Sequence, residues 1–149
     1  MLKLRKSTRY ALYATLEMAA AGRDRQVSVA QVAEQYAIPG AALAKVFQRL
    51  VRSGLAVGTR GAGGGYLLTR PPSRITVLEV VTAFEPERAP GHCLIAEHSA
   101  ECADPAACRL GRLFDEVDEA ARCTLASITL ATLVAAPHPE LVQIVRRVV

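Results

Sequence analysis

The segment His92–Cys108, HCLIAEHSAECADPAAC, constrains this chain most. Pro90 and Gly91 precede it and Pro105 interrupts it, so it suits neither helix nor strand. The chain is therefore expected to fold as a compact domain before the segment and one long helix after it. Three of the four cysteines, Cys93, Cys102 and Cys108, lie here with His92, His98, Glu97, Glu101 and Asp104. A connection this dense in thiols is a metal site or a redox site.

The part before it reads as a compact basic domain. Residues 1–70 hold 11 Lys+Arg against 3 Asp+Glu, whereas residues 71–149 hold 7 against 11. A basic half joined to an acidic half points to a polyanionic partner for the first. Apolar runs are short and broken by charge, so no membrane span is expected. The opening MLKLRKSTRYALYATLEMAAAG superficially imitates a signal peptide. Tyr13 and Glu17 interrupt its apolar block and the helical period suits a folded core, so it reads as a first helix. A cytoplasmic protein with reduced thiols follows from that reading.

Ser7 or Thr8 is expected to cap the first helix, which runs to Gly22 with Lys3, Arg5, Lys6 and Arg9 crowding its start. Cations there oppose the helix dipole, a cost that an approaching phosphate would relieve. Ser28 and Gln31 have capping-box spacing and open a second helix to about Tyr36. After the turn Ala37–Gly40, a third helix runs to Ser53 and stops at Gly54. Leu43, Val46, Phe47 and Leu50 form its buried face.

Two short helices and a tight turn make a helix-turn-helix, with the third helix as the reader. Lys45, Arg49 and Arg52 suit phosphates or guanine edges, and Gln48 can pair with adenine. Two short strands, 55–59 and 66–69, flank Arg60-Gly61-Ala62-Gly63-Gly64-Gly65. Glycines such as Gly63 let a hairpin turn tightly and approach another surface, and Arg60 at its root reads as part of a DNA-contacting wing. A nucleotide-binding loop is the weaker rival, because no Gly-Lys-Ser/Thr follows and a strand replaces the required helix. Thr76 and Glu79 form another capping box and open a helix through Val80, Val81 and Phe84.

Beyond the cysteines, one long helix is expected from about Ala107 to Val134. Leu110, Leu113, Phe114, Val117, Ala121, Leu125 and Ile128 share its apolar stripe. Such a stripe outside a small domain calls for a partner surface, best met by a second copy in a two-fold dimer. Two reading heads then address a palindrome. No nucleophile–base pair stands out, so an enzyme is not expected.

These residues together resemble the winged-helix transcription regulators that include the cluster-assembly regulator IscR and the nitric-oxide-sensing repressor NsrR. The resemblance runs from Leu2 to about Val134. It is carried by LKLRKSTRYAL, VSVAQVAEQYAIP, LVRSGLAVGTRGAGGGYLLTRPP, ITVLEVV, the cysteine trio and ITLATLV. It implies a mainly α fold: a winged helix-turn-helix domain (1–84) with a two-stranded wing, a cluster-binding loop (85–108), a dimerisation helix (109–135) and a tail (136–149). It also implies a homodimer bound to palindromic promoter DNA, acting as a repressor, with Cys93, Cys102 and Cys108 holding an iron–sulfur cluster that senses nitric oxide, redox state or iron. Thiolates are the standard ligands of such clusters, and 4Fe-4S is favoured over 2Fe-2S. The C-x8-C-x5-C spacing lacks the paired knuckles of structural zinc. Zinc held with His92 or His98 is the alternative metal. Thiols oxidised directly are the alternative chemistry. A cluster-free regulator or adaptor responding to a protein partner or a small metabolite is the rival function.

The fourth ligand departs from the family. The cluster-assembly branch has a His three residues after the third Cys, where this chain has Gly111. The nitric-oxide branch uses an acidic residue where this chain has Arg9. Glu97, Glu101, Asp104, His92, His98, Cys123 and a non-protein ligand remain as candidates, with Cys123 read as a bystander. The start of the reading helix, Gly40-Ala41-Ala42-Leu43-Ala44, also replaces the polar residues of the cluster-assembly branch, which shifts direct base reading to Lys45, Gln48 and Arg60.

Overall fold

Capping chemistry sets where two of the helices begin. Ser28 Oγ accepts the Gln31 N–H at 3.2 Å and the Gln31 side chain accepts the Ser28 N–H at 2.8 Å. Thr76 and Glu79 repeat the arrangement at 3.2 and 2.8 Å. The computed structural model describes residues 4–59, 64–85 and 108–135. Its elements are α1 (Lys6–Ala21), α2 (Val29–Gln35), α3 (Gly40–Arg52), β1 (Ala56–Gly58), β2 (Tyr66–Leu68), a 3-10 turn (Pro72–Arg74), α4 (Val77–Thr82), α5 (Arg109–Ser127) and α6 (Leu130–Ala135). Arg60, Gly63, Cys93, Cys102, most of the loop 85–108 and the tail 136–149 lie outside the described residues.

The architecture is mainly helical with a two-stranded antiparallel wing. Ala56 faces Leu68, Val57 faces Leu67 and Gly58 faces Tyr66. The expected face of α3 is the buried one: Leu43, Val46, Phe47 and Leu50 meet Ala11, Ala14 and Met18 of α1 and Val32 of α2 in one core. Ile75, Val80 and Phe84 close that core from the other side. The Phe47 ring packs against Tyr66 of β2 at 4.5 Å, which fixes the wing to the reading helix. Among the described residues, no helix is long and apolar enough to cross a membrane.

The first helix starts differently from expectation. Its N-cap is Arg5, whose side chain makes no capping bond, and Thr8 is buried inside the first turns. The cap comes from Glu85, 80 residues away: its Oε1 accepts the Arg5 N–H at 2.9 Å and the Thr8 hydroxyl. A carboxylate at a helix N-terminus is favoured by the dipole, so Glu85 offsets the cationic crowding there. No local spacing could have shown this pairing.

Burial alone would push the Glu85 carboxyl up. The Thr8 hydroxyl, the Arg5 N–H and the charges of Arg5 and Arg49 outweigh that and hold it below the ordinary glutamate range. For a depressed carboxylate, the contribution to stability is present above the unfolded pKa and is lost as pH falls through the folded one. Glu85→Gln is expected to cost about 1 kcal/mol near neutrality. It is also expected to flatten part of the stability loss below about pH 5. Denaturant unfolding at a series of pH values checks this, and parallel curves for the two proteins would refute it. Glu79 is lowered too, against its own burial, by the Thr76 N–H and by Arg70, so some acid sensitivity remains in the variant.

The single long helix expected after the cysteines is broken in two. Helix α5 ends at Ser127, and Ile128 is extended at φ −100° and ψ 122°. The β-branched pair Ile128-Thr129 instead joins the extended stretch around Ile75. Val77 N–H donates to the Ile128 carbonyl at 2.8 Å and Leu130 N–H to the Ile75 carbonyl at 2.9 Å. Thr129 Oγ1 then accepts the Thr132 N–H at 3.2 Å and starts α6. Leu130 is fully buried, so ITLATLV belongs to the core of the winged domain. Ile128 accordingly leaves the apolar stripe. What remains on α5 faces outward: Leu110, Leu113 and Val117 are 53%, 51% and 57% exposed.

Candidate nucleic-acid interface

Once α3 buries Leu43, Val46, Phe47 and Leu50, helical geometry turns Ala41, Lys45, Gln48 and Arg52 outward, and all four are exposed. Arg52 Nε reaches back to the Gln48 carbonyl at 3.4 Å, which lays its guanidinium along the helix. Beside this face lies an open groove of about 780 Å³. Gln48 and Arg52 line it from α3, and Thr59, Gly64 and Gly65 line it from the wing. The structure thus places Lys45, Gln48 and Arg52 on one exposed face of α3, with Gln48 and Arg52 next to the wing. Arg60 and Gly63 lie outside the described residues, immediately between Thr59 and Gly64.

Arg49 sits differently from its neighbours. Its Nε donates to the Ala83 carbonyl at 2.7 Å and its guanidinium lies 5.0 Å from the centre of the Phe84 ring. The residue is exposed, yet its hydrogen bond and ring contact bind the reading helix to the end of α4. With Glu85 on Arg5 and Thr8, the last described residues before the cysteine-rich segment are anchored to both α1 and α3.

Of the expected metal ligands, Cys108 alone is among the described residues. It caps α5: Sγ accepts the Gly111 N–H at 3.3 Å. A Cβ placed on Gly111 would lie 3.5 Å from Cys108 Cβ and 3.7 Å from that sulfur, in ordinary van der Waals contact with the cysteine. No group of three or more His, Cys, Asp or Glu is gathered to hold a metal among the described residues. Cys123 is exposed and lies 3.6 Å from Glu119 Oε1 on α5. Two residues of the surroundings are not marked by the sequence: Gln26, whose Oε1 accepts the Thr59 hydroxyl at 2.6 Å, and Glu85, which holds Arg5 and Thr8. Both act on partners distant in sequence, which local patterns do not reveal.

Comparison with known proteins agrees with this geometry. The family model of Rrf2, described as an iron-dependent transcriptional regulator, matches residues 4–136. The putative HTH-type transcriptional regulator BadM of Rhodopseudomonas palustris is 37% identical over 132 residues, covering 89% of this chain and 81% of that protein. The HTH-type transcriptional regulator IscR of Yersinia enterocolitica is 33% identical over 133 residues, covering 89% and 79%. Among solved structures, CymR, the global cysteine regulator of B. subtilis, superposes with a TM-score of 0.69 at 28% identity, covering 91% of this chain and 98% of that one. A winged reading head with an exposed basic helix, matched along nearly its whole length, places the chain in the Rrf2 family, as a DNA-binding transcriptional regulator and not an enzyme.

Proposed function

We propose that the protein is a homodimeric repressor of palindromic operators whose affinity is set by an iron–sulfur cluster on Cys93, Cys102 and Cys108. The observation that carries the regulatory part is the placement of the cysteine-rich segment between two anchored ends. Its start follows Ala83–Glu85, which hold α3 through Arg49 and α1 through Arg5 and Thr8. Its last cysteine is the N-cap of α5, the helix with the outward apolar stripe. The residues fit such a group where the structure describes them. The Cys108 sulfur accepts a backbone N–H, as thiolate ligands do, and Gly111 places no side chain against it.

When bound, a cluster supplies a centre that nitric oxide, oxygen or iron shortage alters. The chain's own part is mechanical. Displacing Cys108 moves the start of α5, while Glu85 and Arg49 report on the other end of the segment to α1 and α3. A coupling of roughly 1–3 kcal/mol between segment and operator is the usual size for such a link.

On the DNA side, Lys45, Gln48 and Arg52 read from α3, with Arg60 and Gly63 on the wing. Arg49 contributes chiefly by holding α4. Gln48→Ala is expected to cost roughly 1–3 kcal/mol on the preferred operator and to relax its sequence preference. Lys45→Ala is expected to weaken binding evenly across sequences and to reduce the salt slope by about 1. Titrations of selected and scrambled duplexes at several salt concentrations check both, and an unchanged preference in Gln48→Ala would remove it from base reading.

The decisive experiment for the whole reading combines anaerobic absorption and Mössbauer spectra with a nitric oxide titration, followed by duplex selection with the loaded and unloaded protein. A colourless, iron-free, zinc-containing protein would sink the cluster. The relative named a cysteine regulator favours a second reading, in which a cluster-free protein responds through its thiols or a small metabolite. Duplex affinity that shifts with peroxide or a thiol metabolite, in iron-free protein, would select it.

A further inference from the structure

The wing is fastened to the reading head at a point outside every reading element. Gln26 lies in the turn between α1 and α2, and Thr59 directly follows β1 on the tip side of the wing. The Thr59 hydroxyl donates to Gln26 Oε1 at 2.6 Å. One step further in, Val27 and Tyr66 exchange both backbone hydrogen bonds, at 3.0 and 2.9 Å. Val27 thus adds a single bridge to the outer end of the hairpin, where Tyr66 faces Gly58.

Gly65 shows how tight this junction is. A Cβ there would meet the Val27 carbonyl oxygen at 3.0 Å and Gln26 Cβ at 3.1 Å. Thr59 N–H also donates to the Gly65 carbonyl at 2.9 Å, so Thr59 joins the two arms of the wing and ties them to Gln26. An isolated pair of three-residue strands holds its direction poorly in water. The Val27 bridge holds the outermost strand pair of this hairpin, Gly58–Tyr66. The Gln26–Thr59 bond fixes it at the last position before the tip.

We propose that the Gln26–Thr59 hydrogen bond sets the angle of the wing to α3, which makes both residues positioning residues for DNA recognition. The proposal rests on reading α3 and the wing as one DNA surface. Helix and wing engage one duplex together, so their separation has to match the duplex before either contact is at full strength. Both side chains lie outside the core, so the bond can be removed without unfolding the domain.

The test uses the full-length protein and a duplex that the wild type enriches from a random-sequence pool. Gln26→Ala and Thr59→Val are each expected to weaken binding about fivefold, while Thr59→Ser, which keeps the hydroxyl, stays near wild type. Unfolding midpoints are expected to stay within about 2 °C. Arg60→Ala is expected to weaken the wild type but to add little to Gln26→Ala, because a wing that has lost its angle no longer delivers its arginine. Wild-type affinity in Gln26→Ala, or a full Arg60→Ala penalty in that background, would overturn the proposal. So would a loss with Thr59→Val alone, which would make Thr59 a direct DNA contact. A wild type that enriches no duplex at all would instead bring down the DNA surface on which the proposal stands.

Discussion

Leu113→Asp is expected to turn the protein into a monomer and to lower its operator affinity by about 10²–10⁴-fold. The argument begins from what the chain leaves uncovered. Leu110, Leu113 and Val117 recur at helical spacing on α5, are each more than half exposed, and belong to a helix with no fully buried residue. Burying such a stripe against its own copy would supply about 1.5–3 kcal/mol for each large side chain covered. An aspartate in that seam is desolvated without a partner, and its neighbours lose their contact as well. Each head then binds one half-site alone and forfeits the effective concentration its twin provided. Because Leu113 is outside the core of its own chain, the variant keeps its fold. Sedimentation and mobility-shift titrations measure both effects. A dimer with unchanged affinity would mean that α5 is not the seam.

Cys108→Ala is expected to abolish bound iron and visible absorption, as are Cys93→Ala and Cys102→Ala. With the metal centre gone, operator affinity ceases to respond to nitric oxide, and a factor of about 5–150 in regulation disappears. Cys123→Ala serves as the control. It sits 15 residues further along α5, about 22 Å by helix rise, on an exposed face beside Glu119. That distance removes it from the Cys108 neighbourhood of its own chain, so its loss leaves colour and response intact. Iron retained in Cys108→Ala, or lost in Cys123→Ala, would reverse the assignment. Gly111 gives the series a further meaning: with no side chain three residues after Cys108, a cluster held there is expected to take its fourth ligand from another position.

Local chemistry was legible from the residues. The capping boxes at Ser28 and Thr76, the buried face of α3 and the pairing of the wing strands all depend on spacings of a few residues, and the structure reproduces them. What was illegible depends on partners far apart. Hydroxyls at helix starts usually cap, which points to Ser7 or Thr8; the N-cap is instead Arg5, and Thr8 is buried and bonded to Glu85. The hydrophobic period ran on through Ile128, and nothing in it disclosed that Ile75 and Val77 would draw that residue out of the helix. Arg49 has the composition of a DNA contact, and only its neighbourhood shows the bond to Ala83. The site followed the same division. Lys45, Gln48 and Arg52 fall on one face by helical period, whereas Gln26 pairs with Thr59 across 33 residues.

The break at Ile128 makes α5 a lever arm. Its far end is pinned to the winged domain by the bonds at Ile75 and Val77, and its near end carries Cys108. Nineteen residues of helix span about 28 Å. A tilt of about 5° around the pinned end therefore sweeps Cys108 through about 2.5 Å. Run in the other direction, the same geometry is a reduction gear: a displacement of ångströms at the sulfur becomes a few degrees at the fulcrum, delivered to the stretch that leads into α4 and the core beneath the reading helix.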